Sequence, residues 1–404
     1  MKRRFGLLPG VLLALLLTAC GGGDTPPEGL QTDLTALTLP ETVRVAALGE
    51  ASHGVKEYQE LKAQVFQALV QNNGCRSFII EGDFARAHTV DAYIHGGDGT
   101  AQEAAAQIGF RIYCTQEMAD LLTWMRDYNE TAPEGQDLHF YGMDIQQVDA
   151  GKAYLFQVLE EAAPTLKTAC EPALDFLTDD TLYELNSAEF AQGKAALDEL
   201  LSALDAEQAS IEAAVGPETF AFARECANSL RACCDVRGAP PLQYNTLRDQ
   251  YMAEKVQWYL NQGDGSLLFI NGHNGHIGKT SATPYRCLGQ HLSESLGDAY
   301  FAIGTEAAVT TYNAQNDDGS FQEVTVENEN ALTDLTQQTE TGWYYADAAS
   351  AAGPLAQALA EKQSMTSLNV GVALIYTVKA VPAELYDGVV VFREVSPTTL
   401  LFAE

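Results

Sequence analysis

The chain of 404 residues is long enough to bury a large core, as one large α/β domain or as two or three smaller domains. Its hydrophobic content of 46% and charged content of 19% are typical of globular proteins and exclude disorder over most of its length. The formal net charge of −32 excludes nucleic acid as an expected partner, because such a surface repels phosphate groups.

The amino terminus has the pattern of a secretion signal. Lys2-Arg3-Arg4 precede an apolar run that ends in Leu17-Thr18-Ala19-Cys20. This ending resembles a bacterial lipobox, which implies that residues 1–19 are a signal peptide and that Cys20 becomes the lipid-bearing first residue. A transmembrane anchor is disfavoured, because the apolar run is shorter than the roughly 20 residues that span a bilayer. We therefore expect a membrane lipoprotein that faces the extracellular or periplasmic side.

The residues after the lipidation site are predicted to be a tether. Residues 20–40 are rich in Gly, Asp, Thr and Pro, a composition typical of a flexible linker. Outside the cell disulfides are permitted, so Cys170 could pair with one of the cysteines between Cys226 and Cys234. No spacing matches a paired Cys-x-x-Cys site, which disfavours structural zinc.

Apolar strands and amphipathic helices alternate after the tether. Residues 43–48 are predicted to be a buried strand, a helix ending at Gly74 follows, and residues 78–80 form the second strand. Strand, helix and strand within about forty residues form a βαβ unit with parallel strands and a right-handed crossover. Further strands are predicted at residues 138–143, 267–270, 300–303, 370–376 and 389–392, and further helices at residues 117–128 and 248–260.

A helical insertion, about residues 152–245, is predicted after the third strand, because this segment consists almost entirely of helix formers. We interpret it as a lid or wall over the site. The predicted fold class is α/β in a single domain over residues 41–404, with a mostly parallel sheet and flanking helices. In such sheets the ligand site lies beyond the carboxyl ends of the strands.

Two glycine-rich turns with acid–base residues follow predicted strands. The first is Gly49-Glu50-Ala51-Ser52-His53-Gly54, and the second is Asn271-Gly272-His273-Asn274-Gly275-His276. A histidine can take up and return a proton near neutral pH, and a neighbouring carboxylate can fix its tautomer. Glu81 ends the second predicted strand, at the same predicted edge. The residues expected to meet there are Glu50, His53, Glu81, His273 and His276.

Seven blocks of this sequence resemble the erythromycin esterase family. They are Leu48 through Gly54, Phe78 through Glu81, Glu117 through Arg126, Tyr141 through Asp144, Arg248 through Glu254, His273 through His276, and Tyr386 through Gly388. The blocks keep the family order over nearly all of residues 43–397. The resemblance implies hydrolysis of a cyclic ester, as in macrolide opening, by a water that a histidine activates, without an acyl-enzyme and without a cofactor.

Roles are carried over position by position from this resemblance. His53 is the expected general base, with Glu81 and Glu50 placing the water and orienting the imidazole. His273 and His276 are expected to polarise the carbonyl or to stabilise the oxyanion. The expected substrate-binding residues are Lys56, Asp144 and Arg248, and Lys56 stands where many relatives carry an arginine. The absence of a Gly-x-Ser-x-Gly motif agrees with a mechanism that does not use a serine nucleophile.

Three alternatives remain open from the residues alone. His273 and His276 could hold a divalent metal with Glu50 or Glu81, as in a metal-dependent hydrolase or peptidase. The same fold could instead bind a ligand without catalysis. Asp144 and Arg248 could form a buried structural salt bridge. We expect the remaining histidines to be ordinary surface or packed residues: His88, His95, His139 and His291.

Overall fold

The structure is a computed structural model that describes residues 29–402 except residues 264 and 374. Within this part of the chain the strands are β1 Val45–Glu50, β2 Ser77–Asp83, β3 His139–Asp144, β4 Leu268–His273, β5 Tyr300–Gln315, β6 Phe321–Glu327, β7 Trp343–Asp347, β8 Gln363–Thr366, β9 Thr377–Ala380 and β10 Gly388–Val395.

The helices of the same described range occupy most of the segments between the strands. They are α1 Lys56–Asn73, α2 Arg86–Ile94, α3 Ala101–Ala106, α4 Gln116–Asn129, α5 Asp149–Ala162, α6 Pro164–Leu174, α7 Ser187–Val215, α8 Pro217–Gly238, α9 Pro241–Gln262, α10 Asn274–Ile277, α11 Leu288–Leu296, α12 Ala331–Asp334, α13 Gly353–Ala360 and α14 Pro382–Leu385. None of them is long and apolar enough to cross a membrane.

The central sheet has the strand order β3-β2-β4-β1-β5-β10-β7, and β6 pairs with the extended end of β5. All pairs on this path are parallel except β10 with β7, and β6 is antiparallel to β5. The predicted α/β fold with a mostly parallel sheet is therefore confirmed. β1 lies in the centre of the sheet, so the turn that follows it has neighbours on both sides.

Both faces of the sheet are covered by helices. Val45 and Ala47 of β1 point into a core that includes side chains of α5, α7, α8 and α9. Ala46 and Leu48 point into the opposite core, which includes side chains of α1, α2, α3 and α4. Burial on both faces explains why the central strands are continuous apolar runs in the sequence.

Helix α1 ends as the sequence predicts. Gly74 has a φ of 67°, in the left-handed region that favours glycine, and its N–H donates to the carbonyl of Leu69. The predicted helices at residues 117–128 and 248–260 are found within α4 and α9. The segment predicted as a helical insertion is helical, through α5 to α8 and the start of α9.

The prediction of a strand at residues 370–376 is wrong. Residues 370–373, 375 and 376 are irregular, and β9 begins only at Thr377, outside the central sheet. Apolar composition alone did not identify a strand here: the N–H of Gln315 at the end of β5 donates to the carbonyl of Val370, but the described residues after Val370 do not continue the pairing. β5 is also longer than predicted, since beyond residue 303 it continues to Gln315 as the partner of β6.

The prediction of a flexible tether is wrong for residues 29–40. Leu34, Leu37 and Leu39 are buried in the core that contains α1. The side-chain amide of Asn73 donates to the carbonyl of Leu39 at 3.0 Å and accepts its N–H at 3.1 Å. Three leucines thus fix a segment whose polar composition suggested a linker. Residues 20–28, with Cys20, lie outside the described residues.

The seven described cysteines are all free, so the proposed pairing of Cys170 does not form. Cys226, Cys233 and Cys234 are buried in the apolar core beneath α8. The thiol of Cys170 donates instead to the carbonyl of Lys167. Burial raises the pKa of the Cys234 thiol to about 12, so this thiol stays protonated and unreactive near neutral pH.

Candidate active site

The candidate site lies at the carboxyl ends of four adjacent parallel strands. Glu50 ends β1 and pairs in register with His273, which ends β4. Glu81 lies near the end of β2, and Asp144 ends β3. Helix α9 contributes Arg248 and the one-turn helix α10 contributes His276. This is the edge at which the predicted site residues were expected to meet.

The glycines of the first motif are needed for close packing between turns. A Cβ on Gly49 would lie 2.1 Å from Oδ1 of Asn274, and one on Gly54 would lie 2.3 Å from the carbonyl oxygen of Asn313. Neither glycine has a positive φ. Asn274 also donates to the carbonyl of Thr305 at 2.7 Å and accepts its N–H at 3.2 Å, which fixes the second turn against β5.

Glu50 and His53 form the buried pair expected of a base and its orienting carboxylate. Oε2 of Glu50 lies 3.4 Å from Nδ1 of His53, and the hydroxyl of Tyr113 lies at the same distance from this nitrogen. The other carboxylate oxygen of Glu50 contacts Nζ of Lys62, which is completely buried. Burial disfavours the charged form of Glu50, but Lys62 and His53 outweigh it, so the pKa of Glu50 lies below its ordinary value.

Arg248 connects the carboxylates of β2 and β3. Its Nε and Nη2 donate to the two carboxylate oxygens of Asp144 at 3.0 and 2.7 Å, and Nη2 also donates to Oε1 of Glu81 at 2.7 Å. The second oxygen of Glu81 accepts the backbone N–H of His273 at 2.7 Å. Burial opposes ionisation of Glu81, but His276 and Arg248 outweigh it and hold its pKa well below the ordinary value. The salt bridge is therefore structural and part of the site at once.

His276 lies between two acidic side chains. Its Nδ1 is 2.8 Å from Asp249 and its Nε2 is 3.2 Å from Glu81. Burial favours the neutral ring, but Asp249 and Glu81 outweigh it and raise the pKa of His276 to about 10. Nη1 of Arg248 also lies 3.0 Å from Nε2, a contact that only a neutral ring could accept. We assign the protonated ring, because the buried acidic side chains of the cluster outnumber its permanent cations.

His273 has the opposite electrostatic character. Its Nδ1 accepts the backbone N–H of Gly275 at 3.0 Å, so the ring proton of the neutral form is on Nε2. Burial, followed by the charges of His53 and His276, lowers the pKa of His273 to about 3. Nε2 has no hydrogen-bond partner among the described residues. His273 is therefore a buried neutral donor in contact with the ring of His53, at a centroid distance of 5.4 Å.

A cavity of about 370 Å³ opens onto this cluster. His53, Glu81, Asp144 and Arg248 are in its wall, together with Tyr113. The other wall residues are Gly109, Phe110, Arg111, Ile112, Gln146, Gln147, Tyr183, Gln315 and Val370. A cavity of about 640 Å³ lies at the opposite edge of the sheet and contains none of the predicted site residues. We identify the smaller cavity as the site, because only there do acid–base groups converge.

Most predicted site residues are brought together, and Lys56 is not. The side chain of Lys56 is 42% exposed, lies 3.8 Å from Glu60 and is absent from the cavity wall. The helical phase of α1 explains this, because Lys56 begins the helix and points to solvent. Lys62, further along the same helix, points to the cluster instead. Glu50, His273 and His276 lie in the cluster behind the cavity wall.

The metal alternative is not favoured by the geometry of the cluster. Nδ1 of His273 is taken by the N–H of Gly275, and both nitrogens of His276 face charged partners. The guanidinium of Arg248 lies against Glu81, where it would repel a divalent cation. Both nitrogens of His276 are therefore engaged by protein groups, and the remaining nitrogen of His273, Nε2, carries the ring proton and offers no lone pair to a metal.

Three residues of the cluster were missed in the sequence. Lys62 carried a readable signal, because it is a lysine among the apolar positions of an amphipathic helix. Asp249 follows Arg248 directly and could have been included with it. Tyr113 had no signal in its surroundings, since it reaches His53 from a three-residue 3₁₀ helix before α4.

Comparisons with known proteins identify relatives of this chain in sequence and in fold. The family model of erythromycin esterase matches residues 70–395. An erythromycin esterase type II of Escherichia coli is 27% identical over 303 residues, which cover 67% of this chain and 69% of the relative.

Solved structures share the fold. A Bacillus cereus protein superposes with a TM-score of 0.79 at 23% identity, over 93% of this chain and 97% of its own. A succinoglycan biosynthesis protein has a TM-score of 0.77 at 20% identity, over 89% and 90%. A mutant erythromycin esterase in its open conformation has a TM-score of 0.72 at 16% identity, over 93% and 99%.

Proposed function

The chain belongs to the erythromycin esterase family, and we propose that it hydrolyses an ester or lactone by direct attack of a water that His53 activates. The observation that carries this proposal is the Glu50–His53 pair at the wall of the cavity. With Glu50 accepting from Nδ1, the lone pair of the ring is on Nε2, which faces Glu81 at 3.9 Å. The 3.4 Å contact between Glu50 and Nδ1 is long, as catalytic hydrogen bonds often are before substrate binds.

The reaction follows from these positions. Nε2 of His53 takes one proton from the water while the oxygen of this water bonds to the carbonyl carbon of the substrate. The tetrahedral oxyanion then collapses, the carbon–oxygen bond to the alcohol breaks, and His53 returns the proton to the leaving oxygen. Glu81, held by Arg248 and by the backbone of His273, helps to place the water. A lactone substrate would thereby open to a hydroxy acid.

Cations and hydrogen-bond donors at the same edge can stabilise the negative charge that develops on the carbonyl oxygen of the substrate. The guanidinium of Arg248 is in the cavity wall, and the neutral ring of His273 supplies a buried N–H next to His53. Donors aimed at a developing oxyanion contribute about 10²–10³ in rate. The protonated ring of His276 adds positive charge next to Glu81.

The cavity wall supports water as the nucleophile. Its described residues include no serine, threonine or cysteine. Ser52, adjacent to His53 in sequence, is completely buried and does not line the cavity. The volume of about 370 Å³ falls in the range of small-molecule sites, about 300–1,000 Å³, and apolar side chains such as Phe110 and Ile112 suit a partly apolar substrate.

The test is hydrolysis of a panel of macrolides and simple lactones by the chain from residue 21 onward, with and without a chelator. We expect turnover that survives the chelator and that falls by about 10²–10⁴ in His53→Ala. His291→Ala is the matched control, because it removes a histidine outside the cluster. Turnover that the chelator abolishes, or that persists in His53→Ala, would contradict the mechanism.

We also propose that this hydrolase is anchored to the outer face of the cell membrane through lipid on Cys20. The support is the sequence pattern of basic residues, apolar run and Leu17-Thr18-Ala19-Cys20. Replacement of Cys20 by serine in the full chain is expected to move the protein from the membrane to the soluble fraction. Retention at the membrane in that variant would reject the anchor.

A further inference from the structure

Asp91, His95 and His139 form a second cluster of titratable side chains, far from the candidate active site. Asp91 is in α2, His95 directly follows this helix, and His139 is the first residue of β3. Since a strand rises about 3.3 Å per residue, His139 is roughly 17 Å from Asp144 at the active-site end of β3. One potential ligand atom from each of the three side chains lies within 4.8 Å of the others.

The spacing of these atoms suits a bound ion. Nδ1 of His139 lies 3.6 Å from Oδ1 of Asp91, which is too long for a hydrogen bond. Two ligands bound at about 2.1 Å to a tetrahedral zinc are separated by about 3.4 Å. Only a small movement would therefore place both atoms at coordination distance from one ion.

The surrounding bonds already orient the three groups. The backbone N–H of Phe140 donates to Oδ1 of Asp91 at 2.8 Å. Nδ1 of His95 lies 2.8 Å from the carbonyl oxygen of Asp91, where only a ring N–H is satisfied, so the lone pair of this ring is on Nε2. The ring of Tyr141 stacks on that of His139 at 5.6 Å and 4°. Hydrogen bonds of this kind to a carbonyl and to a carboxylate are the usual second layer of metal sites.

We propose that Asp91, His95 and His139 bind a divalent transition-metal ion of the zinc class. Two imidazoles and one carboxylate favour zinc over magnesium or calcium, which prefer oxygen ligands. The fourth tetrahedral position is left to water or to another ligand. Because the ligands come from α2 and from the start of β3, the ion joins helix to sheet.

The ion site adjoins the larger of the two cavities described above. Asp91 and His139 are in the wall of the cavity of about 640 Å³, whose other wall residues include Phe84, Tyr141 and Trp258. A bound ion would therefore lie in the wall of this partly aromatic cavity, at the edge of the sheet opposite His53. The proposal does not depend on the hydrolytic activity, because no group of this cluster belongs to the active site.

The test is calorimetric titration of the full chain with zinc chloride, beside the double variant His95→Ala/His139→Ala and the control His291→Ala. We expect one zinc site whose affinity falls by at least about 100-fold in the double variant. Loss of groups that only hydrogen-bond to metal ligands lowers the affinity by about 10–100-fold, so loss of two ligands should lower it at least as much. The control should bind as the unmodified chain does. Cobalt(II) can replace zinc in such a site, and the visible absorption bands typical of tetrahedral cobalt(II) give an independent readout of the geometry.

Thermal unfolding separates loss of the ligands from loss of the fold. Without metal the double variant should unfold at close to the melting temperature of the unmodified chain. Added zinc should raise the melting temperature of the unmodified chain and of His291→Ala, but not that of the double variant. Unchanged zinc binding in the double variant would place the ion elsewhere, for example at the histidines of the active site, and would overturn the proposal. Failure of the unmodified chain to bind zinc would also overturn it.

Discussion

Replacement of Lys62 by methionine tests whether this buried lysine holds Glu50 in its working state. Both side chains are completely buried, and Nζ of Lys62 contacts Glu50 directly. Methionine keeps most of the apolar stem, so the change removes mainly the charge. Removing one partner of a buried pair costs about 3–5 kcal/mol, because the other charge is left without compensation. The free energy of unfolding of a typical domain is only about 5–15 kcal/mol.

The same substitution should impair hydrolysis. Without Lys62 only His53 opposes the effect of burial, so the pKa of Glu50 rises and its carboxylate becomes a weaker acceptor for Nδ1 of His53. We therefore expect kcat to fall by about 10²-fold or more, the range for loss of a positioned acid–base group. The assay is kcat and KM on whichever ester the panel identifies, alongside urea unfolding of the same preparations.

Lys56→Met is the matched control, since it removes a lysine from the same helix. Lys56 is 42% exposed and its pair with Glu60 is 3.8 Å long, so its loss should cost less than about 1 kcal/mol. The double variant Lys62→Met/Glu50→Gln should recover part of the stability, with a coupling of about 1–3 kcal/mol. If Lys62→Met were as stable and as active as Lys56→Met, the assignment of Lys62 would be refuted.

The pH dependence gives the sign of the effect. The pKa of Glu50 is lowered in the folded protein, so its stabilisation is present above the ordinary value of 4.5 and is lost as the pH falls through the folded value. The difference in unfolding free energy between the unmodified chain and Lys62→Met should therefore be largest near neutral pH. It should narrow in acid, where Glu50 becomes protonated in both proteins.

Two other predictions concern the turns of the site. The pKa of His276 is raised to about 10, so its contribution to stability is complete below pH 6.5 and disappears as the pH rises through 10. In urea unfolding, His276→Gln should therefore have a lower free energy of unfolding than the unmodified chain, by an amount that shrinks over this pH range. A difference that stays constant with pH would contradict this prediction. Gly54→Ala should destabilise the folded protein by about 1–3 kcal/mol, because its Cβ would lie 2.3 Å from a backbone oxygen. Gly371→Ala is the control and should be tolerated, because its Cβ would lie at an ordinary 3.4 Å from the nearest atom. Equal melting temperatures of the two variants would refute the packing argument.

The sequence allowed a sound prediction of the sheet and of the edge at which the candidate site residues meet. Strands buried on both faces leave long apolar runs, and the polar residues that end them must lie at one edge when the strands are parallel. Glu50, His53 and His273 could be found for this reason. The strand predicted at residues 370–376 and the tether predicted through residue 40 failed, because both depended on composition without a known partner surface.

What the sequence determined by itself was the periodicity of the elements and the local motifs, because both depend on neighbours a few positions apart. The tertiary structure decided which charges meet. Lys62 rather than Lys56 reaches Glu50, and Asp249 fixes the charge of His276, through contacts between elements that are distant in the chain. The pKa values of the site follow from burial and from these contacts, and neither is encoded in any short stretch of residues.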